Sequence, residues 1–183
     1  EQFLSHGWDI AERIVEEFDF HRIVYLGSSG LKGIAQESAL KICELTQGAV
    51  DTVWNSPTGF RHGPKSVIND QTLCVIFLSP DAFTRRYDCD LVSEICSEKK
   101  ENRVCIITSG SFPEISGIDY LISLGTADLP DVFTGMVYIL AAQLIALFRS
   151  VQNGNTPDNP CPTGEVNRVV KGVTIYPYEK VTK

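Results

Sequence analysis

The sequence predicts an α/β domain: one sheet of five parallel strands, helices on both of its faces, and an extended tail after the last helix. Short apolar runs rich in β-branched residues alternate with longer segments of helical period, the signature of repeated strand–helix–strand units. The runs are apolar throughout rather than at every second residue, as expected of strands covered on both faces. The 183 residues fit one domain with a core of its own.

Ile10, Ile14, Val15 and Phe18 recur at helical spacing, so residues 8–18 form a first helix, with no strand ahead of it. Residues 22–28 (RIVYLGS) read as a buried parallel strand ending in glycine and serine. A helix over 31–46 follows and stops near Gly48. Residues 50–55 are a second strand, and Ser56-Pro57-Thr58-Gly59 a turn. The segment 63–68 holds only a short helix, with Pro64 tolerated near its start. Residues 72–79 (TLCVIFLS) are the clearest strand. A helix over 83–100 places Tyr87, Leu91, Ile95 and Cys96 on one side. Strands at 103–109 and, more weakly, 119–124 complete the sheet, and Pro130 precedes a last helix over 132–151. Residues 1–152 thus make a three-layer α/β/α, flavodoxin-like domain. Residues 153–183 form a C-terminal tail expected to close over the active site, rich in Asn, Pro and Gly over 153–168 and extended over 172–178.

Composition excludes several classes. A net charge of −7, without a run of Lys or Arg, argues against a general nucleic-acid or anionic-membrane binder. The longest apolar stretch, around 137–148, is interrupted by Gln143 and reads as a buried helix rather than a membrane span. Cys43, Cys74, Cys89, Cys96, Cys105 and Cys161 show neither a C-x-x-C pair nor a histidine at ligand spacing. They read as reduced thiols of a cytoplasmic protein without metal or other cofactor. The chain begins at Glu1 and its one methionine is Met136, which with the orphan first helix suggests a piece of a longer protein.

In parallel sheets ligands sit beyond the carboxyl ends of the strands, which puts Ser28, Ser29, Ser56, Thr58 and Ser79 on the functional edge. Gly27-Ser28-Ser29-Gly30 opens a helix, where free N–H groups and two hydroxyls suit a phosphate or sugar oxygen. The same loop also reads as a plain structural turn, and it is not the dinucleotide fingerprint, since Ser29 replaces the middle glycine. Ser79-Pro80-Asp81 reads as a helix cap, because Asp81 repels phosphate. On the helix of 31–46, Glu37, Lys41 and Glu44 form a narrow charged stripe bounded by Ile34 and Leu40. That stripe is either a wet i,i+4 pair or a catalytic face in otherwise buried surroundings. His62, between Arg61 and Gly63-Pro64, can move a proton near neutral pH or can be an ordinary surface histidine. Lys171, alone among β-branched residues, is a carbonyl-directed amine or an edge-strand lysine.

ESALKICEL, SPTGFRHGPKS and NPCPTGEVNRVVKGVTIYP, in that order and spacing, resemble the second sugar isomerase (SIS) domain of the tagatose-6-phosphate ketose/aldose isomerase family, also described as galactosamine-6-phosphate deaminase/isomerase. The isomerase half of glucosamine-fructose-6-phosphate aminotransferase is a more distant likeness. The resemblance covers roughly residues 22–178 and implies roles. Glu44 moves a proton between C1 and C2 of an open-chain sugar, His62 assists ring opening and Lys171 engages the carbonyl. Glu37 and Lys41 line or support the site, and Ser28, Ser29, Ser56, Thr58 and Arg61 are sugar contacts. It further implies a small sugar-phosphate ligand and a homodimer in which His62 reaches across the interface. The expected reaction is a 1,2-proton shift on an amino-sugar or ketohexose 6-phosphate, and the alternative is a noncatalytic sugar-phosphate-binding module. Two-domain members hold the phosphate in a Ser-x-Ser-Gly-x-Thr loop of their first SIS domain. This chain has Ser79-Pro80-Asp81 at the corresponding loop and shows no preceding SIS domain.

Overall fold

The computed structural model describes residues 8–110, 112, 115–125, 129–164 and 172–177. In chain order these form α1 (Trp8–Glu17), β1 (Arg22–Gly27), α2 (Leu31–Leu45), β2 (Asp51–Asn55), α3 (Pro57–Arg61), a 3-10 turn (Pro64–Val67), β3 (Thr72–Phe77), α4 (Ala82–Ser97), β4 (Arg103–Thr108), β5 (Tyr120–Ser123) and α5 (Asp131–Gln152). The five strands make one parallel sheet in the order β2-β1-β3-β4-β5.

The central strands are buried on both faces, and their two-residue period sorts side chains into two cores. Ile23, Tyr25, Leu73, Val75, Phe77, Cys105 and Ile107 face α1, α2 and α5. Val24, Leu26, Cys74, Ile76, Val104 and Ile106 face α4 and the Phe60 ring of α3. Full burial of each Ile, Leu or Phe stabilises the fold by about 1.5–3 kcal/mol before entropy is counted. Tyr25, Phe77 and Tyr138 stack in series with centroids 6.0 Å apart, and the Tyr138 hydroxyl donates to the Leu78 carbonyl at 2.9 Å. By length and composition α5 would cross a membrane, but it packs Tyr138, Ala141, Ala142, Ile145 and Ala146 into the core against α1 and α2.

Three local expectations are corrected. The turn at 56–59 is the cap and first turn of α3: Ser56 Oγ accepts from the Gly59 N–H at 3.2 Å, and Pro57 sits at the first helical position. The buried side of α4 is Asp88, Leu91, Val92 and Ile95, whereas Tyr87 is 46% exposed and packs edge-on against Phe83. The charged stripe of α2 is not set among buried side chains, since Leu40 beside it is 47% exposed. Asp81 does cap α4, accepting from the Thr84 N–H at 2.8 Å.

Candidate active site

Strand order reverses between β1 and β3, and the crevice outside their carboxyl ends is where this sheet class holds ligands. Here that crevice is closed from within. Asp88 is fully buried; its carboxylate accepts from the Ser28 hydroxyl at 2.5 Å and from the Ser79 N–H at 3.0 Å. The Ser79 hydroxyl donates to Asp131 at 2.9 Å, which ties the first turn of α5 to the same knot. Burial pushes the Asp88 carboxyl above the usual carboxylate range, against the pull of the Ser28 and Ser79 hydrogen bonds. Two donors that would suit a phosphate are therefore spent on a carboxylate.

Ser29 remains exposed at the tip of this loop with φ +49°, and Thr58 lies on the solvent side of α3. The Ser56 hydroxyl is engaged as the α3 cap. Neither Asp88 nor Asp131 was singled out from the sequence. Asp88 carried a signal: it occupies position i of the i, i+3, i+4, i+7 set whose other members are buried apolar residues.

Glu37, Lys41 and Glu44 lie on one outward face of α2. The Lys41 ammonium is 2.8 Å from Glu44 Oε2 and 3.4 Å from Glu37 Oε1. The hydrogen bond to Glu44 is the main cause that holds the Lys41 ammonium above its usual range. The Glu44 side chain is 51% exposed, so the pair itself contributes about 0.3–0.5 kcal/mol to stability. The end of α2 is nevertheless well fixed. The Leu45 carbonyl accepts from the Ser150 hydroxyl at 2.8 Å and from Asn155 Nδ2 at 3.1 Å, which pins the turn carrying Glu44 to α5 and the start of the tail.

Among the described residues, the elements that carry these side chains lie apart within one chain. α2 starts at the carboxyl edge of the sheet and ends at the amino edge, so Glu44 stands about 20 Å from Ser29 at 1.5 Å per residue. α2 belongs to the core on one face of the sheet, while α3, which leads to His62, packs on α4 across the other face. Arg61 is bound to α4 as well, with its guanidinium 2.5 Å from Glu94, and Lys65 joins Glu94 and Glu98. Lys171 lies outside the described residues. The described part of the far tail, residues 172–177, is exposed, with Val173, Ile175 and Tyr176 at 65%, 90% and 82%. Among the described residues no group of three or more His, Cys, Asp or Glu side chains converges as a metal site.

No family model matches the chain. It is 43% identical over 171 residues to the D-galactosamine-6-phosphate deaminase AgaS of Escherichia coli, a match covering 93% of this chain and 44% of that protein. The protein of the same name from Shewanella sp. (strain ANA-3) is 42% identical over 168 residues, 92% of this chain and 41% of that protein. The crystal structure of tagatose-6-phosphate ketose/aldose isomerase from Escherichia coli superposes with a TM-score of 0.81 at 38% identity, over 97% of this chain and 45% of that one. The chain thus spans less than half the length of the curated relatives it matches.

Proposed function

Since the chain belongs to the family of galactosamine-6-phosphate deaminases and tagatose-6-phosphate ketose/aldose isomerases, we propose that its protein converts galactosamine 6-phosphate to tagatose 6-phosphate and ammonia. The observation that carries this reading is 43% identity, across 93% of the chain, to a deaminase of that substrate. In the open-chain aldosamine, the Glu44 carboxylate removes the C2 proton. The C–H electron pair becomes the C1–C2 double bond, and the C1 oxygen takes up a proton. Glu44 returns its proton to C1, leaving a hydroxymethyl carbon and an iminium at C2. Water adds at C2, ammonia departs, and the ketose remains. Lys171 polarises the C1 carbonyl while its oxygen gains charge, and His62 opens the sugar ring. On a substrate with oxygen at C2 the same proton shift is a simple aldose–ketose isomerisation.

Four structural features support the arrangement. Lys41 lies against Glu44 and orients its carboxylate. Ser150 and Asn155 hold the helix turn beneath it. The elements leading to Glu44 and His62 pack on opposite faces of the sheet, which favours a site completed by His62 of a second subunit in a homodimer. The Asp88 closure of the crevice favours a phosphate held outside this domain's own loops. We place the protein in the cytoplasm, where sugar phosphates are made and kept and where its six cysteines stay reduced.

The test is incubation of the native, full-length protein with galactosamine 6-phosphate in deuterated water. Ammonia release with one deuterium incorporated at C1 of the ketose is expected. Binding with neither ammonia nor solvent exchange at C1 or C2 sinks the catalytic reading in favour of a sugar-phosphate sensor.

A further inference from the structure

A cavity of about 440 Å³ opens at the amino edge of the sheet, on the α4 face, between the 3-10 turn, the end of α4 and the starts of β3 and β4. Its size falls in the range of small-molecule sites. Its walls carry Arg61, Lys65 and Lys100, and Ile68 and Ile95 supply an apolar side. Arg61 and Lys65 are held by Glu94 and Glu98, whereas the Lys100 ammonium has no carboxylate partner among the described residues. Three cations against two carboxylates reverse, locally, the sign of a chain whose net charge is −7.

Surface lysines alone would carry nothing. The deciding feature is Asn102, which lines the cavity and is only 3% exposed. Its Oδ1 accepts from the Lys100 N–H at 3.1 Å, but its buried Nδ2 has no hydrogen-bond partner among the described residues. A buried donor without an acceptor is a standing free-energy cost, which an incoming oxygen would relieve. The unpaired ammonium and the stranded amide belong to residues two apart in sequence, and both call for the same thing, an oxygen-rich anion.

We propose that this cavity binds a small phosphate monoester, its phosphoryl oxygens on Lys100 and Asn102 and its carbon skeleton against Ile68 and Ile95. The cavity lies on the α4 face of the sheet, whereas Glu44 stands on α2 on the other face, so it is a binding site separate from the proposed chemistry at Glu44. Occupancy would tie the 3-10 turn, which follows His62, to the start of β4.

The experiment is an NMR titration of the ¹⁵N-labelled full chain with inorganic phosphate and with phenyl phosphate, following the Asn102 side-chain amide, assigned by its loss in Asn102→Asp. A saturable shift is expected with both probes, with phenyl phosphate bound about tenfold tighter through the isoleucine wall. Lys100→Glu, a solvent-exposed change, should weaken both by at least about tenfold without lowering the melting temperature. The proposal is overturned by the absence of a saturable shift up to about 50 mM of either probe. It is equally overturned by binding that Lys100→Glu leaves unchanged, or by phenyl phosphate binding no tighter than phosphate.

Discussion

Two carboxylates, Glu44 and Asp88, stand in opposite surroundings at the scale of the residue. Glu44 stands half in solvent with a lysine at 2.8 Å, accessible to a substrate. Asp88 is sealed in and already engaged by a hydroxyl and an N–H. Replacing Glu44 with Gln keeps the shape and removes the base, so kcat should fall by about 10²–10⁴-fold with little change in melting temperature. A rate within a few-fold of wild type would remove Glu44 from the mechanism. Asp88 should instead show itself in stability. Its folded pKa is raised, so the folded state holds this proton more tightly than the unfolded chain does. Stability is therefore favoured below the unfolded pKa and declines as pH rises through the raised folded value. Measured by urea unfolding, the stability of wild type relative to Asp88→Asn should decrease as pH rises above the ordinary carboxylate range. A difference that is flat, or that grows with pH, would show that Ser28 and Ser79 outweigh burial.

At the scale of elements, the handover from β1 to α2 sets the geometry of the carboxyl edge. A Cβ on Gly27 would lie 2.4 Å from the Leu31 carbonyl oxygen and 2.6 Å from its carbon, both backbone atoms that a side-chain rotation cannot clear. Gly27→Ala should destabilise the domain by about 1–3 kcal/mol, read by thermal unfolding. A neutral result would mean that the first turn of α2 shifts freely, contrary to its fixation by the Ser28–Asp88 bond. At the other end of α2 the Leu45 carbonyl takes two donors, Ser150 and Asn155, from beyond its own helix. Ser150→Ala leaves Asn155 in place and should cost about 1 kcal/mol. If the clamp positions Glu44, kcat should fall while the substrate's KM stays near its wild-type value.

For the molecule as a whole, the proposed site is one that His62 of a second subunit would complete. Glu44 lies at the end of α2 on one side of the sheet, and α3 carries the chain to His62 on the other. Co-expressing Glu44→Gln and His62→Ala subunits, each inactive alone, should restore about a quarter of wild-type activity. Half the dimers are then hybrids, each with one intact site of two. No recovery despite hybrid formation would place His62 beside the Glu44 of its own chain.

The parallel α/β plan was legible because its determinants are local. Strands buried on both faces must be apolar throughout, and helices between them must repeat at 3.6 residues, so RIVYLG, TLCVIF and RVCIIT announce themselves. The Glu37–Lys41–Glu44 stripe was legible for the same reason, since spacing on one helix is a property of sequence. What lay beyond that reading is what depends on partners distant in the chain. Ser28 reads from the sequence as a ligand contact, and only the fold shows its hydroxyl donating to Asp88 across 60 positions. Arg61 reads from the sequence as a sugar contact, and only the fold shows that Glu94 of α4 pairs with it. The sequence alone determined the layers, the helix face of the acid–base candidate and the family. Only the tertiary structure decided which polar groups remain free to meet a ligand, because a hydrogen bond or ion pair needs both partners within about 3 Å, and folding alone sets that distance.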